Sequence, residues 1–281
     1  MNSEELAWLL RRHVIEMTHV AEASHIGCNL SIADIVAVLY NDIANINCKN
    51  YQSKERDRIV LSKGHASAII YAVLAEMGFY DRKELMQHCV NGSRFSAMIS
   101  NANNPGVEMA TGSLGHGFPV AVGMAFAAKK DNRKHKVYTI LGDGECNEGS
   151  IWESALTAQQ LQLDNLIAIV DHNKLQCLDF CENIINMAPF VDKWKSFGWD
   201  AVEIDGHDHS ILKTTLTAAK NSENKKPKVI IAHTIKGKGI SFMENNVVWH
   251  YRFPHSGEEY NTAIAELQVS KPKSMKDPYK N

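Results

Sequence analysis

Val137-Tyr138-Thr139-Ile140-Leu141 runs directly into Gly142-Asp143-Gly144-Glu145-Cys146-Asn147-Glu148-Gly149, and a helical pattern then starts near Ser150 and continues to about Leu163. An apolar strand, a glycine turn carrying one carboxylate and a helix N-terminus make a place where a parallel sheet can hold phosphate and metal. Gly and Asp also end strands for turn reasons alone, so the neighbouring segments decide. Downstream, Leu166-Ile167-Ala168-Ile169-Val170 is a second continuous apolar run, ending in Asp171-His172-Asn173-Lys174. One helix plus one strand separates Asp143 from Asn173, so their two strands are candidate neighbours. A carboxylate, a side-chain amide and a nearby backbone carbonyl form a hard oxygen set suited to Mg²⁺ or Ca²⁺ bound together with phosphates.

Working outward, residues 3–22 read as an amphipathic helix through Leu6, Leu9, Leu10, Val14 and Met17, with Ser3 and the following glutamates at its start. Ser31 is placed as the cap of a second helix through Ile32, Ile35, Val36 and Leu39. A short strand at Arg58–Leu61 ends in Ser62-Lys63-Gly64-His65 and precedes a small-residue helix near 66–77. Residues 91–107 are irregular, and a loop of that length in a compact domain is usually functional or mobile. Thr111-Gly112-Ser113-Leu114-Gly115-His116-Gly117 leads into an apolar helix near 118–129. After the central pair come a helix near 191–197, a strand 201–204 ending in Asp205-Gly206-His207-Asp208, a helix 209–222, a strand 229–233 ending near Lys236-Gly237-Lys238-Gly239, and a last helix near 256–268. Apolar strands alternating with helices predict an α/β fold, a mostly parallel sheet with helices on both faces. The polar strand ends should converge on one site, because ligands bind beyond the carboxyl ends of such strands. We assign one domain over 1–270 and a flexible tail over 271–281.

Composition excludes several classes. The chain has 281 residues with a net charge of −2, which argues against a general nucleic-acid or anionic-membrane binder. No apolar run reaches the roughly 18 residues needed to span a bilayer, and the acidic start is not a signal peptide. Six scattered cysteines without a paired framework fit a reduced, cytoplasmic setting. Cys177 and Cys181 have no second Cys/His pair at zinc spacing and are read as loop thiols. Neither a P-loop nor a Gly-x-Gly-x-x-Gly dinucleotide turn is present.

Gly142-Asp143-Gly144, followed after about thirty residues by Asn173, resembles the thiamine diphosphate motif. Ser24-His25-x-Gly27, Asp57-Arg58-x-Val60-Leu61-Ser62-x-Gly64-His65, Pro105-Gly106-Val107-Glu108, Thr111–Gly115, Gly142–Gly149, Asp205–Asp208 and Lys236-Gly237-x-Gly239 follow in the order found in transketolases. The resemblance covers about residues 5–260 and points to the N-terminal, diphosphate-binding domain, with the variants at 112–117 and 144–149 resembling transketolases split into two subunits. It implies the thiamine diphosphate-binding fold and a metal held by Asp143, Asn173 and the Leu175 carbonyl. It further implies cofactor contacts from His65, Gly112, Ser113, Leu114, Gly142, Asp143, Gly144, Glu145, Asn173, Lys236 and His250, and catalytic roles for His25, His65 and His250 along the substrate channel. Glu148 matches a carboxylate linking paired active sites, and His116 replaces a Gln that can face the cofactor. The remaining histidines His13, His19, His88, His135, His172 and His255 are read as ordinary core or surface residues, and His207 as a turn residue or a catalytic one.

The resemblance also implies what another chain must bring. The glutamate that protonates the aminopyrimidine N1′ lies, in this family, in a pyrimidine-binding domain C-terminal to this one. The expectation is therefore a C-terminal transketolase-like subunit in an α2β2 heterotetramer, acting on sugars or sugar phosphates in carbohydrate metabolism. The activity implied is transfer of a two-carbon ketol unit from a ketose to an aldose. Departures bear on the substrate. Ile26 stands where transketolases have Pro after the first channel histidine. Ala97-Met98-Ile99 occupies the place of the second Gly-His-Pro, and Tyr251 follows Trp249-His250 in place of Gly. Arg94 and Arg252 are candidate anion contacts, and a nucleotide-linked or deoxy sugar is one reading of the altered channel. A 2-oxo acid donor such as pyruvate is the alternative, and a non-catalytic partner that keeps the fold is a third.

Overall fold

Residues Arg58–Leu61 (β1), Val137–Gly142 (β2), Leu166–His172 (β3), Asp200–Asp205 (β4) and Lys228–His233 (β5) form one parallel sheet in the order β1-β2-β3-β5-β4. The structure, a computed structural model, describes residues 1–276. The strands for Asp143 and Asn173 are indeed neighbours: β2 pairs with β3 so that Gly142 faces Asp171. Strand residues alternate between two cores. Ile59, Leu61, Tyr138, Ile140, Ile167, Ile169 and Ile230 point to one, and Val60, Val137, Leu141, Leu166, Ala168, Val170 and Ile231 to the other. Because both faces are covered, the strands read as continuous apolar runs.

The helices are α1 (Ser3–Val20), α2 (Ile26–Ser31), α3 (Ala33–Val38), α4 (Ser67–Glu76), α5 (Gly117–Lys130), α6 (Gly149–Gln160), α7 (Cys181–Ile184), α8 (Phe190–Ser196), α9 (His209–Asn221) and α10 (Glu258–Val269). Those on the first face include α1, α3, α4, α9 and α10; α5, α6 and α8 cover the second. The cap of α1 lies one residue earlier than expected. Asn2 is the cap: its side chain accepts from Glu5 N, and the Glu5 carboxylate accepts from Asn2 N, a reciprocal box that satisfies two end donors. Ser31 does not cap a helix. It closes α2, and its hydroxyl donates to the Cys28 carbonyl and to Asp171. The second helix is therefore broken at Ile32, where a buried polar contact outweighs local propensity.

The irregular stretch near 91–107 is laced into place. Ile99 N donates to the Gly64 carbonyl, and Thr111 N donates to the Ile99 carbonyl. Asn104 Nδ2 donates to the carbonyls of Arg94 and Ser100. At the C-terminal end, Ser274 donates to Glu5 and Met275 packs on the first core; the last five positions assigned to the tail, 277–281, lie outside the described residues.

Two glycines give opposite expectations. A Cβ on Gly64 would sit 2.3 Å from the Thr111 carbonyl oxygen, whereas one on Gly123, exposed within α5, meets nothing within 4 Å. Gly64→Ala should therefore destabilise the chain by about 1–3 kcal/mol or more through forced backbone movement. Gly123→Ala should stabilise it by about 0.5–1 kcal/mol. Urea unfolding of both variants measures the contrast, and equal effects would contradict this packing.

Candidate active site

Beyond the carboxyl ends of β1, β2, β3 and β5 lies a cavity of about 260 Å³. Among its lining residues are His25, Lys63, His65, Gly112, Leu114, Gly142, Asp143, Gly144, Glu145, Asn173, Leu175, Lys236 and His250. The structure thus gathers every expected site residue except Ser113, which is exposed outside it. His116 and Glu148 are likewise exposed and not part of the lining.

At its base, Asp143 follows β2 and is 4% exposed. Its Oδ1 accepts from Gly144 N, and its Oδ2 accepts from Lys174 N at 2.6 Å. His172 Nδ1 lies 3.3 Å from the same oxygen, so a histidine expected to be ordinary touches this carboxylate. Asn173 is held by a bond from its Nδ2 to Asp171, which leaves Oδ1 towards Leu175 N. A carboxylate, an amide oxygen and the Leu175 carbonyl are all hard oxygen donors, and the set fits a divalent cation of the magnesium type. The Leu175 carbonyl already attracts positive charge: Lys236 Nζ donates to it at 3.0 Å and to the Gln176 carbonyl at 3.2 Å.

Glu145 has its side chain fully engaged within the protein. It lines the cavity, but its Oε1 accepts from Ser62 and Gly115 N, and its Oε2 from Gly142 N. Burial raises its pKa against these bonds. Its role is to tie the glycine turn at 112–117 to the one at 142–144.

Also lining the cavity, Lys63 is paired with Asp171, both essentially without solvent contact. Asp171 also accepts from Ser31, Asn173 and Thr234. Burial pushes its pKa up, but the Lys63 ammonium and these donors outweigh that and leave it below the usual carboxylate range. Sequence reasoning missed Lys63 and Asp171. The signal was two charged residues within two positions of the apolar runs Ile59–Leu61 and Leu166–Val170.

Three imidazoles line the cavity's other wall. The rings of His25, His65 and His250 stand 5.1 to 5.9 Å apart. His25 has φ +74°, a left-handed conformation that costs a non-glycine residue energy and marks a constrained position. Its N–H donates to the His250 carbonyl, and its Nδ1 meets Ser24 Oγ. Lys236 Nζ lies 2.8 Å from His250 Nδ1. An ammonium has only donors, so Nδ1 accepts and the His250 proton sits on Nε2. Burial first, and then the Lys236 charge, lower the pKa of His25 and push that of His250 down to about 3. Burial and then Lys63 hold His65 well below the ordinary imidazole value. The wall therefore presents neutral imidazoles as hydrogen-bond donors and acceptors.

Met98, Cys177 and Tyr251 also line the cavity. Met98 packs against Gly112, where an added Cβ would be 3.4 Å from Met98 Cγ. The two candidate anion contacts do not reach the cavity: Arg94 pairs with Glu84 over the Tyr80 and Phe95 rings, and Arg252 pairs with Glu259 over Trp249. His207 does not line the cavity. Its Nδ1 donates to Asp34, and its Nε2 accepts from Ile235 N. Among the described residues, no group of three His, Cys, Asp or Glu side chains is placed to hold a metal, and Cys177 and Cys181 are unpaired thiols.

An oxygen donor set, glycine turns and buried ammonium groups thus meet at the carboxyl end of a parallel sheet, where ligands of such sheets bind. Residues 3–254 match the family model described as the transketolase thiamine diphosphate-binding domain, and the chain belongs to that family. It is 39% identical over 257 residues to one subunit of the apulose-4-phosphate transketolase of Phocaeicola vulgatus, covering 92% of this chain and 90% of that protein. It is 38% identical to the 6-deoxy-6-sulfo-D-fructose transketolase subunit SqwG of a Clostridium species, covering 92% and 94%. Among solved structures, transketolase from Campylobacter jejuni superposes with a TM-score of 0.87 at 32% identity, over 96% of this chain and 45% of that one. The chain thus spans less than half of that solved transketolase and nearly the whole length of the two single-subunit relatives. Its fold is the thiamine diphosphate-binding fold, and its enzyme class is that of the transketolase-like transferases.

Two results are expected. Lys63→Met leaves Asp171 buried without its cation and should cost about 3–5 kcal/mol in urea unfolding, with Asp171→Asn in the same chain recovering part of the loss. The second concerns pH. The unfolded chain protonates its histidines near 6.5, while His25, His65 and His250 resist protonation when folded. The unfolded state then binds more protons, so stability is complete above about pH 6.5 and falls as pH drops towards 3. The urea midpoint should decline between pH 7 and 4, and His250→Gln should flatten that decline; an unchanged slope would mean freely protonating imidazoles.

Proposed function

We propose that this chain is the diphosphate-binding half of a two-subunit transketolase that moves a two-carbon ketol unit from a ketose, or its phosphate, to an aldose. When bound, thiamine diphosphate supplies the electron sink for breaking and making a carbon–carbon bond. Asp143, Asn173 and the Leu175 carbonyl would hold Mg²⁺. Gly144, His65 and Lys236 would receive the diphosphate, and Gly112 and Leu114 would lie against the rings. His25 and His250 would bind substrate oxygens, with the His250 Nε2–H as a donor and the neutral imidazoles able to accept a proton. Glu145 organises the turns around the cofactor.

One observation carries the need for a second subunit. Three carboxylates line the cavity, and each is engaged: Asp143 by Gly144 N and Lys174 N, Glu145 by Ser62, Gly115 N and Gly142 N, and Asp171 by Lys63. None is left to protonate an aminopyrimidine nitrogen. The relatives of matching length are named as single subunits of their transketolases, which supports the same division, in an α2β2 assembly. Six unpaired thiols support a cytoplasmic setting. The thioether of Met98 at the mouth is a weak acceptor at best. It favours a substrate with few oxygens on that side, such as a deoxy sugar, and it is also the feature that supports a 2-oxo acid donor as second reading.

Mixed with its pyrimidine-domain subunit, thiamine diphosphate and Mg²⁺, the chain should release an aldehyde product from a ketose phosphate. Asp143→Asn should weaken Mg²⁺-dependent cofactor binding at least a hundredfold by calorimetry, roughly the loss of a charged ligand. Turnover of pyruvate with no ketose reacting would sink the ketol-transfer reading in favour of the 2-oxo acid one.

A further inference from the structure

Gln176 is a cavity residue that neither the metal set nor the histidine wall uses. It sits in a hairpin closed by Leu175 against Phe180, with Gln176 N donating to the Asp179 carbonyl and Cys181 N to the Lys174 carbonyl. Lys236 Nζ fixes the root of this hairpin through the carbonyls of Leu175 and Gln176. The Gln176 side chain therefore has little choice of direction, and it lies over Gly144. A Cβ on Gly144 would be 2.9 Å from Gln176 Cγ and 3.0 Å from Cδ.

The carboxamide ends in a place where its nitrogen has nothing to bind. Gln176 Nε2 is buried and has no hydrogen-bond partner. The Cys181 thiol beside it is a weak acceptor and cannot satisfy two amide hydrogens. Buried donors without partners are rare in folded proteins and call for an explanation. An amide N–H needs an acceptor. Of the two buried ammonium groups in the same cavity, Lys63 is paired with Asp171, while Lys236 is bonded only to carbonyls and an imidazole, so an acceptor that carries negative charge would complete both.

We propose that Gln176 is a further diphosphate-binding residue, whose Nε2 donates to a phosphate oxygen above Gly144 and so closes the hairpin over the bound cofactor. This rests on the thiamine diphosphate reading of the same cavity. The hairpin then acts as a clasp: Lys236 positions its base, and the ligand satisfies its inward-pointing amide. A hydrogen bond to a charged acceptor of this kind corresponds to roughly a ten- to hundredfold change in affinity.

The test compares Gln176→Ala and Gln176→Glu with the unmodified chain, each assembled with its pyrimidine-domain subunit. Calorimetry with Mg²⁺ would follow binding of thiamine diphosphate and of inorganic pyrophosphate, and thermal unfolding would be recorded without ligand. Gln176→Ala should weaken both ligands about ten- to hundredfold while leaving the ligand-free midpoint unchanged or raised, because it removes an unsatisfied buried donor. Gln176→Glu, which turns a donor into a negative acceptor, should weaken them further. Affinity equal to the unmodified chain's in Gln176→Ala would overturn the proposal, as would a ligand-free midpoint lowered in step with the affinity, which marks a structural role. If the unmodified assembly binds neither ligand, the thiamine diphosphate reading itself fails, an outcome distinct from either.

Discussion

The Asp171 carboxylate is the fixed point of this molecule. It sits at the end of β3 with no solvent contact and takes hydrogen bonds from Lys63 after β1, Ser31 at the end of α2, Asn173 beyond β3 and Thr234 after β5. One buried charge thus joins four segments that are remote in sequence. An uncompensated carboxylate there would be very costly, so each donor must be in place for the chain to fold as it does. The Asn173 side chain is oriented by this demand. The position of the Asn173 side-chain oxygen, which we propose as a metal ligand, is in that sense a by-product of satisfying a buried charge.

The same arrangement sets the electrostatics of the site. Lys63 is neutralised from below by Asp171, but Lys236 has only carbonyls and the His250 nitrogen around its ammonium, and burial lowers its pKa. Burial, and then the two cations beside them, keep the three imidazoles from taking up protons. The cavity is therefore a reservoir of hydrogen-bond donors with little added charge of its own, suited to an anion that arrives with its counter-cation.

The strands and most helices were legible because residues buried on both faces leave long apolar runs, and because the polar residues that break those runs cluster at one end of the sheet. The ordered motifs then placed Asp143, Asn173, His25, His65 and His250 in one site, and the structure does bring them together. What was not legible depended on partners distant in the chain. Ser31 looked like a cap because the pattern around it is helical, but its hydroxyl belongs to Asp171. That the Glu145 oxygens bind two glycine turns was likewise not visible in the motif that carries it. His172 and Gln176 carried no local signal at all; the first gains its role only beside Asp143, and the second only because Gly144 lacks a side chain. Arg94 and Arg252 looked free for an anion, and each is held by a glutamate that sequence spacing did not single out.

Met98 and Tyr251 are borne on irregular segments and are exposed to solvent, while Asp143 and Asn173 follow strands whose register is pinned rung by rung through the Gly142–Asp171 pairing. A slip of one residue there would turn every side chain to the opposite face, whereas a change at the mouth disturbs little that is buried. The chain is thus divided into a part that must be inherited intact and a part that is free to vary. Under the proposed function, a change of substrate at the rim need not rebuild the floor, and Met98 and Tyr251 are where such a change would leave its trace.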